Sequence, residues 1–302
     1  MEAQESRWEY PCQGKDKWKT FIFLPERLEG MENPRISVIV STYNSEEWLK
    51  KVLWGFQCQL FKEFEVVIAD DGSGPATREL IEEMRKELFF PIQHIWQEDE
   101  GFQKSRILNK AVTACQADYI IMTDGDCIPR EDFVEVHYIN KEQGYFISGG
   151  YYMLPMAISE MITREDIQSQ QCFDIQWLKE KGIPKTFKNN KLTARGFISK
   201  LLNTITPTNA SWNGHNSSGW KEDIVKVNGF DERMQYGGQD RELGERLFNA
   251  GIRSKQLRYS AVCVHLDHKR GYKTPESIAK NQAIRKETRG KTKVWTDYGI
   301  TK

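Results

Sequence analysis

The 302-residue chain is 39% hydrophobic and 12% aromatic, enough to bury a core and too apolar for a disordered chain. Its 43 basic and 43 acidic residues cancel, which removes any global electrostatic pull toward nucleic acid. No run approaches the roughly 18 apolar residues of a membrane span, and the N-terminus has no signal-peptide core. The six scattered cysteines (Cys12, Cys58, Cys115, Cys127, Cys172, Cys263) form no C-x-x-C pair and read as free thiols in a reducing, cytoplasmic setting.

Residues 1–35 read as an N-terminal extension with one strand-like stretch at 21–24. Residues 36–42 (I-S-V-I-V-S-T) form a continuous β-branched run, the mark of a strand buried on both faces. Ser45, followed by Glu46 and Glu47, is placed to cap a helix carrying Trp48, Leu49, Val52, Leu53 and Phe56 at helical spacing. A second buried strand at 64–69 ends in Asp70-Asp71 and then Gly72-Ser73-Gly74. A helix over 77–88, a short strand over 92–97 and a loop-to-helix segment over 101–117 follow. Residues 119–123 form the next strand, which delivers Asp124-Gly125-Asp126 before Pro129 stops it.

This β-α-β-α-β-α-β order predicts a mostly parallel sheet with right-handed crossovers. Two of its strands end in acid pairs on the edge where open α/β sheets bind ligands. No G-x-G-x-x-G or G-K-[ST] phosphate loop is present, so a diphosphate needs another neutraliser. A divalent cation held by Asp124 and Asp126 supplies one; the competing reading of Asp-Gly-Asp is a plain turn.

Beyond Pro129 the spacing predicts a helix over 133–143 and a strand over 146–152. The polar segment 154–210, broken by Gly182, Pro184 and Gly196, is the natural place for acceptor recognition. The run W-N-G-H-N-S-S-G-W (212–220) reads either as a plain loop or as an aromatic and amide platform for a sugar. A helix over 223–227 and a turn at 228–231 lead to Gly237-Gly238-Gln239-Asp240, which opens a helix stopped by Gly251. Asp240 there either satisfies the helix N-terminus or does chemistry. Residues 261–266 form a strand bearing His265, followed by Asp267-His268. From Lys269 on, basic residues outnumber acids, giving a helical tail able to touch anionic headgroups.

Three stretches together resemble the inverting family 2 glycosyltransferases with the GT-A fold: I-S-V-I-V-S-T-Y-N with D-D-G-S a strand later, D-G-D, and N-G-F-D-x-x-x-x-x-G-G-Q-D-x-E-L ahead of V-H-L-x-H. The last is also similar to the C-terminal part shared with galactosyl- and N-acetylgalactosaminyltransferases. The resemblance covers about residues 36–270 and implies a GT-A, Rossmann-like α/β sheet. It implies a nucleotide-sugar-binding half at 36–130, an acceptor-binding and catalytic half at 131–268, and a basic tail at 269–302.

By the same resemblance, Ser41, Thr42, Tyr43, Asn44, Asp71, Lys104, Asp124 and Gly125 surround the nucleotide. Asp126, with Asp124 and His265, holds Mn²⁺ or Mg²⁺; His268 is an alternative ligand to His265, and a histidine ligand tilts the metal toward Mn²⁺. Trp212, Asn216, Trp220, Gly238 and Gln239 face the sugars, and Asp240 is the general base, with Gln239 standing where an acid often precedes it. The expected activity is inverting, metal-dependent transfer of a hexose or N-acetylhexosamine from a UDP-sugar. The expected acceptor is a saccharide or lipid-linked saccharide of cell-surface polysaccharide or lipopolysaccharide synthesis, reached at the inner membrane face. The rival readings are a sugar nucleotidyltransferase and a non-catalytic carbohydrate-binding protein.

Overall fold

The computed structural model describes residues 21–23, 34–269 and 274–302; most of the N-terminal extension, with Cys12, and the basic residues Arg270 and Lys273 lie outside them. The strands are β1 (Phe21–Phe23), β2 (Ile36–Thr42), β3 (Phe64–Asp70), β4 (Ile92–Trp96), β5 (Tyr119–Asp124), β6 (Cys127–Pro129), β7 (Tyr145–Met153), β8 (Ser217–Trp220) and β9 (Arg253–His265). They form one sheet in the order β1-β4-β3-β2-β5-β8-β7-β9-β6.

The parallel half is β4-β3-β2-β5. The chain steps outward from β2 to β3 and β4, then returns across to β5 on the other side of β2, so the strand order reverses between β2 and β5. There Ser41 is in register with Asp124, which puts the acid pair at the topological switch point where such sheets bind ligands. Helices α1 (Glu46–Gln57), α2 (Pro75–Glu87) and α3 (Lys104–Ala114) make the crossovers. Val38 and Val40 of β2 join one core with Leu49, Val52 and Ile81, while Ile39 joins a second with Ile107, Leu108 and Val112. Both faces are covered, which is why β2 and β3 are apolar without alternation.

The other half departs from the expected parallel pattern. β8 is antiparallel to both β5 and β7, and β6 is antiparallel to β9. Pro129 does not stop the chain at once: β6 lies at the edge of the sheet, where a residue without an N–H is tolerated. β9 runs from Arg253, far longer than the expected 261–266, because Tyr145–Gly149 pairs with its N-terminal part before the register shifts at Gly149/Gly150. Ser45 precedes α1, but its side chain makes no capping hydrogen bond.

A buried polar chain ties the two halves together. Tyr119 Oη meets Ser218 Oγ at 2.9 Å, Ser218 Oγ meets His137 Nδ1 at 2.7 Å, and His137 Nε2 meets Asn216 Oδ1 at 3.0 Å. Burial lowers the His137 imidazole from its ordinary value near 6.5 to about 4. An unfolded chain therefore takes up a proton at this position between pH 6.5 and about 4 that the folded chain does not. The neutral histidine's contribution is complete above pH 6.5 and is lost on acidification, about 3 kcal/mol across that window. Urea unfolding of wild type and His137→Gln at several pH values checks it: the difference between the two should shrink by this amount as pH falls.

The helix Gln239–Asn249 is held from beneath by a second buried network. Arg246 and Glu242 pair at 2.7 Å, both about 1% exposed, and Arg246 also donates to the carbonyls of Val227 and Gly229. Arg246→Met leaves a buried carboxylate without its cation, and we expect a loss of about 3–5 kcal/mol in urea unfolding.

The basic tail is not a separate solvated helix. Its Pro275–Gly290 helix docks on Gln239–Asn249 through Arg285–Glu245 (2.5 Å) and Thr288–Glu242 (2.9 Å), while Lys291 and Lys293 pair with Glu287. Asn281 donates to the carbonyls of Gln235 and Gly237, which shapes the loop before Asp240. Asn228 donates to the carbonyls of Thr296 and Thr301.

Candidate active site

A cavity of about 770 Å³ opens at the switch point, with Ser41, Thr42, Tyr43 and Asn44 on one wall and Asp124, Gly125 and Asp126 on its floor. Gly125 N–H donates to Ser41 O at 2.8 Å. A Cβ on Gly125 would lie 2.9 Å from that carbonyl, so only glycine lets both aspartates turn upward this close to β2.

The two acid pairs divide their work. Asp70 is structural: it accepts from Ser73 N–H (2.8 Å) and meets His94 Nε2 (2.8 Å). Asp71 faces the cavity, accepting from Gln97 (2.6 Å) and Gln103 N–H (2.9 Å), and burial pushes its carboxyl up to about 6. Asp124 accepts from Ser41 Oγ (2.8 Å) and Lys104 Nζ (2.6 Å). Burial disfavours its charge, but Lys104 and Ser41 outweigh it and hold the carboxyl well below the usual range. Burial likewise works against the Lys104 ammonium, and Asp124 and Asp240 overcome it and raise its pKa.

Asp126 stands apart from Asp124 and faces two histidines. Its carboxylate oxygens lie 3.7 Å from His265 Nε2 and 3.0 Å from His268 Nε2. Of the expected Asp124–Asp126–His265 set, Asp124 is engaged by Lys104, while His265 and His268 both gather on Asp126. The pairing of Cys127 with His265, and of Leu266 N–H with Asp126 O (2.8 Å), fixes this meeting of β9 and the Asp-Gly-Asp turn. His265 Nδ1 lies 2.8 Å from Leu266 O and His268 Nδ1 3.0 Å from Lys269 O, which assigns a hydrogen to each Nδ1 and leaves both Nε2 atoms facing the carboxylate. Three donor atoms within 4.8 Å of one another, two imidazole nitrogens and a carboxylate, fit a divalent transition-metal ion such as Mn²⁺.

Across the cavity, Asp240 sits in the first turn of its helix, whose N-cap is Gly238. Burial raises its carboxyl, and Lys104 partly opposes the rise. Asp240 Oδ1 and Thr42 Oγ1 are buried atoms of the cavity wall with no protein partner among the described residues. Gln239 also lines the cavity, its Oε1 accepting from Gly237 N–H, whereas Gly238 packs under Arg285 outside it.

The sugar platform expected in 212–220 is not there. Trp212 is fully buried against Phe146, filling space left by Gly219 and Gly244. Asn216 is buried too, donating to Gly150 O (2.7 Å) and Ala261 O (3.0 Å) across the register shift. Trp220 stacks edge-on to Tyr119 and donates to Glu142 O, away from the cavity. What the loop supplies is Gly214 beneath Asp240 and His215, whose ring sits 4.4 Å from Tyr151 and is held neutral, at about 4, by burial. His215, Tyr151, Phe102 and Tyr236 are cavity residues that sequence reasoning missed; for His215 the only signal was its place in an already conspicuous loop.

Comparison with known proteins agrees with this architecture. The model for glycosyl transferase family 2 matches residues 37–195, and one described as the N-terminal domain of galactosyltransferase matches 207–269. The chain belongs to glycosyl transferase family 2 and is a glycosyltransferase, which sets aside the nucleotidyltransferase and non-catalytic readings. It is 25% identical over 274 residues to the uncharacterized glycosyltransferase YfnE of Bacillus subtilis, covering 82% of this chain and 69% of that one. It is 23% identical over 261 residues to chondroitin synthase of Escherichia coli, covering 76% of this chain but 36% of that protein. It is 33% identical over 177 residues to the poly(ribitol-phosphate) β-N-acetylglucosaminyltransferase TarS of Staphylococcus aureus, covering 58% of this chain and 27% of that one. The chain thus spans only about a third of chondroitin synthase and about a quarter of TarS.

Among solved structures, S. aureus TarS 1-349 in complex with UDP-GlcNAc superposes with TM-score 0.55 at 16% identity, covering 85% of this chain and 69% of that one. The mannosyltransferase PcManGT from Pyrobaculum calidifontis in complex with GDP-Man and Mn²⁺ gives 0.52 at 18%, covering 80% and 59%. Both likenesses establish the GT-A fold.

Proposed function

We propose that the chain transfers a hexose or N-acetylhexosamine from a UDP-sugar to a saccharide or lipid-linked saccharide of cell-surface polysaccharide synthesis, with inversion at the anomeric carbon. The observation that carries this reading is the Asp126–His265–His268 cluster in the same cavity as Asp240, at the switch point of the sheet. The donor class is supported by similarity to chondroitin synthase, to TarS and to the TarS complex with UDP-GlcNAc.

In this mechanism Tyr43, Asn44 and Asp71 receive the nucleoside, and Ser41, Thr42 and Gly125 the diphosphate edge. A divalent cation held by Asp126, His265 and His268 supplies charge stabilisation for the departing nucleotide diphosphate, worth several kcal/mol. The Lys104 ammonium, fixed by Asp124, adds positive charge on the same side. Asp240 takes the proton of the acceptor hydroxyl as that oxygen attacks the anomeric carbon and the bond to the diphosphate breaks. With one base and no nucleophile facing the sugar, the displacement is single and inverts configuration. Phe102 and Tyr236, packed edge to face at 5.9 Å on the cavity wall, provide apolar surface for a sugar ring.

Nucleotide release from a panel of UDP-, GDP- and CMP-sugars, with Mn²⁺ and with chelator, tests the reading. Release from UDP-sugars in Mn²⁺ alone is expected; preference for GDP- or CMP-sugars contradicts the donor class.

A further inference from the structure

The helix Gly196–Ile205 is built inside out. Its polar residues face the protein: Ser199 is buried beside Ser260, and Asn203 binds Ser260 Oγ (2.9 Å) and accepts from Tyr259 N–H (2.8 Å) on β9. Its apolar residues face outward, with Phe197 78%, Ile198 60%, Leu201 45% and Ile205 60% exposed. At about 100° per residue these four fall within one arc of roughly 100°. Phe187, 66% exposed, lies in the segment just before the helix. These five are a third of the fifteen large apolar side chains exposed among the described residues, gathered in nineteen residues of chain.

Along this stretch of chain the charge has one sign, although Glu131 and Asp132 of another segment act on Arg195. No Asp or Glu occurs from residue 181 to 221, while Lys181, Lys185, Lys188, Lys191, Arg195 and Lys200 fall in its first twenty positions. Lys191 turns inward to Tyr151 O, but Lys185, Lys188, Arg195 and Lys200 are exposed. An apolar face carried on a segment with several cations and no acids of its own complements an anionic lipid surface, into which the apolar side chains insert while the cations meet headgroups. A protein partner with an apolar patch calls for no such exclusion of acids. The segment 196–206 also lies outside both family-matched stretches.

We propose that the Gly196–Ile205 helix docks the protein on an anionic lipid bilayer through Phe197, Ile198, Leu201 and Ile205, with Lys188 and Lys200 contacting headgroups. Of the basic C-terminal tail, Arg285, Lys291 and Lys293 are paired with acids. The same strand, β9, carries Ser260 beneath the helix and His265 in the cavity, five residues or roughly 17 Å along.

Sedimentation of the full chain with vesicles tests the proposal, comparing phosphatidylcholine alone with an equal mixture of phosphatidylcholine and phosphatidylglycerol. The expected result is binding to the anionic vesicles that weakens with added salt. Phe197→Ser with Leu201→Ser should lower it at least about tenfold, and Lys188→Glu or Lys200→Glu by about fivefold or more each. Circular dichroism and nucleotide release from a UDP-sugar serve as controls and should match wild type, because these residues are remote from the cavity. Binding to neither vesicle, or anionic binding unchanged by the serine substitutions, overturns the proposal. So does light scattering that gives a wild-type dimer dissolved by the same substitutions, which would make the face a contact between copies.

Discussion

Asp240→Asn is expected to lower sugar transfer by on the order of 10²–10⁴ while donor affinity stays within a few-fold. The amide keeps the size of the side chain and its place beneath Gly214, but it cannot accept the proton of the acceptor hydroxyl. Burial raises the Asp240 carboxyl, and the charge on Lys104 restrains the rise. Because the base acts as its carboxylate, kcat/KM of wild type should fall as pH drops through this raised pKa. The variant's residual rate should lack that limb. The linked stability effect has the opposite sign to a catalytic defect. A carboxyl whose folded pKa is raised costs stability above its unfolded pKa, so the neutral amide should unfold no more easily than wild type at neutral pH. Steady-state rates across pH, with urea unfolding of both proteins, check these statements together; a variant that transfers at wild-type rate removes Asp240 from the base role.

Asp126→Ala carries the second large effect. It removes the carboxylate on which both histidines gather, leaving the two imidazoles of the cluster without it. Several kcal/mol of leaving-group stabilisation at 1.36 kcal/mol per tenfold gives a loss of at least about 10³ in kcat. His265→Ala and His268→Ala should each weaken Mn²⁺ by more than the roughly 10–100-fold typical of losing an outer partner. Asp124→Asn should behave differently, since Asp124 is held by Lys104 and Ser41: its main consequence is a loosened Lys104, with Mn²⁺ affinity changed far less. Calorimetric Mn²⁺ titration of the four variants separates the two aspartates.

The parallel half of the fold was legible because strands buried on both faces leave an unbroken apolar record, as in 36–42 and 64–69. That the Asp-Gly-Asp turn, Asp71 and Asp240 would line one cavity was legible from acids at the ends of buried elements, even though a turn or a helix N-terminus could by itself account for an acid there. Two readings failed for definite reasons. Composition cannot tell an exposed tryptophan from a buried one, and Trp212 is buried because Gly219 and Gly244 on two different elements leave it room. Asn216 looked like a sugar contact, but its amide satisfies backbone exposed by the register shift at Gly149/Gly150, which no local pattern announces. The split between Asp124 and Asp126 depends on Lys104 arriving from α3, on His265 at the end of β9 and on His268 just beyond it, contacts 20 and about 140 residues away in sequence.

The most direct test of the central claim is to count bound Mn²⁺ by electron paramagnetic resonance as the metal is titrated into the full chain, with and without UDP. The account predicts one Mn²⁺ per chain, held more tightly when UDP is present and lost in Asp126→Ala. Tight UDP binding in the presence of chelator, with no Mn²⁺ bound under any condition, would contradict it.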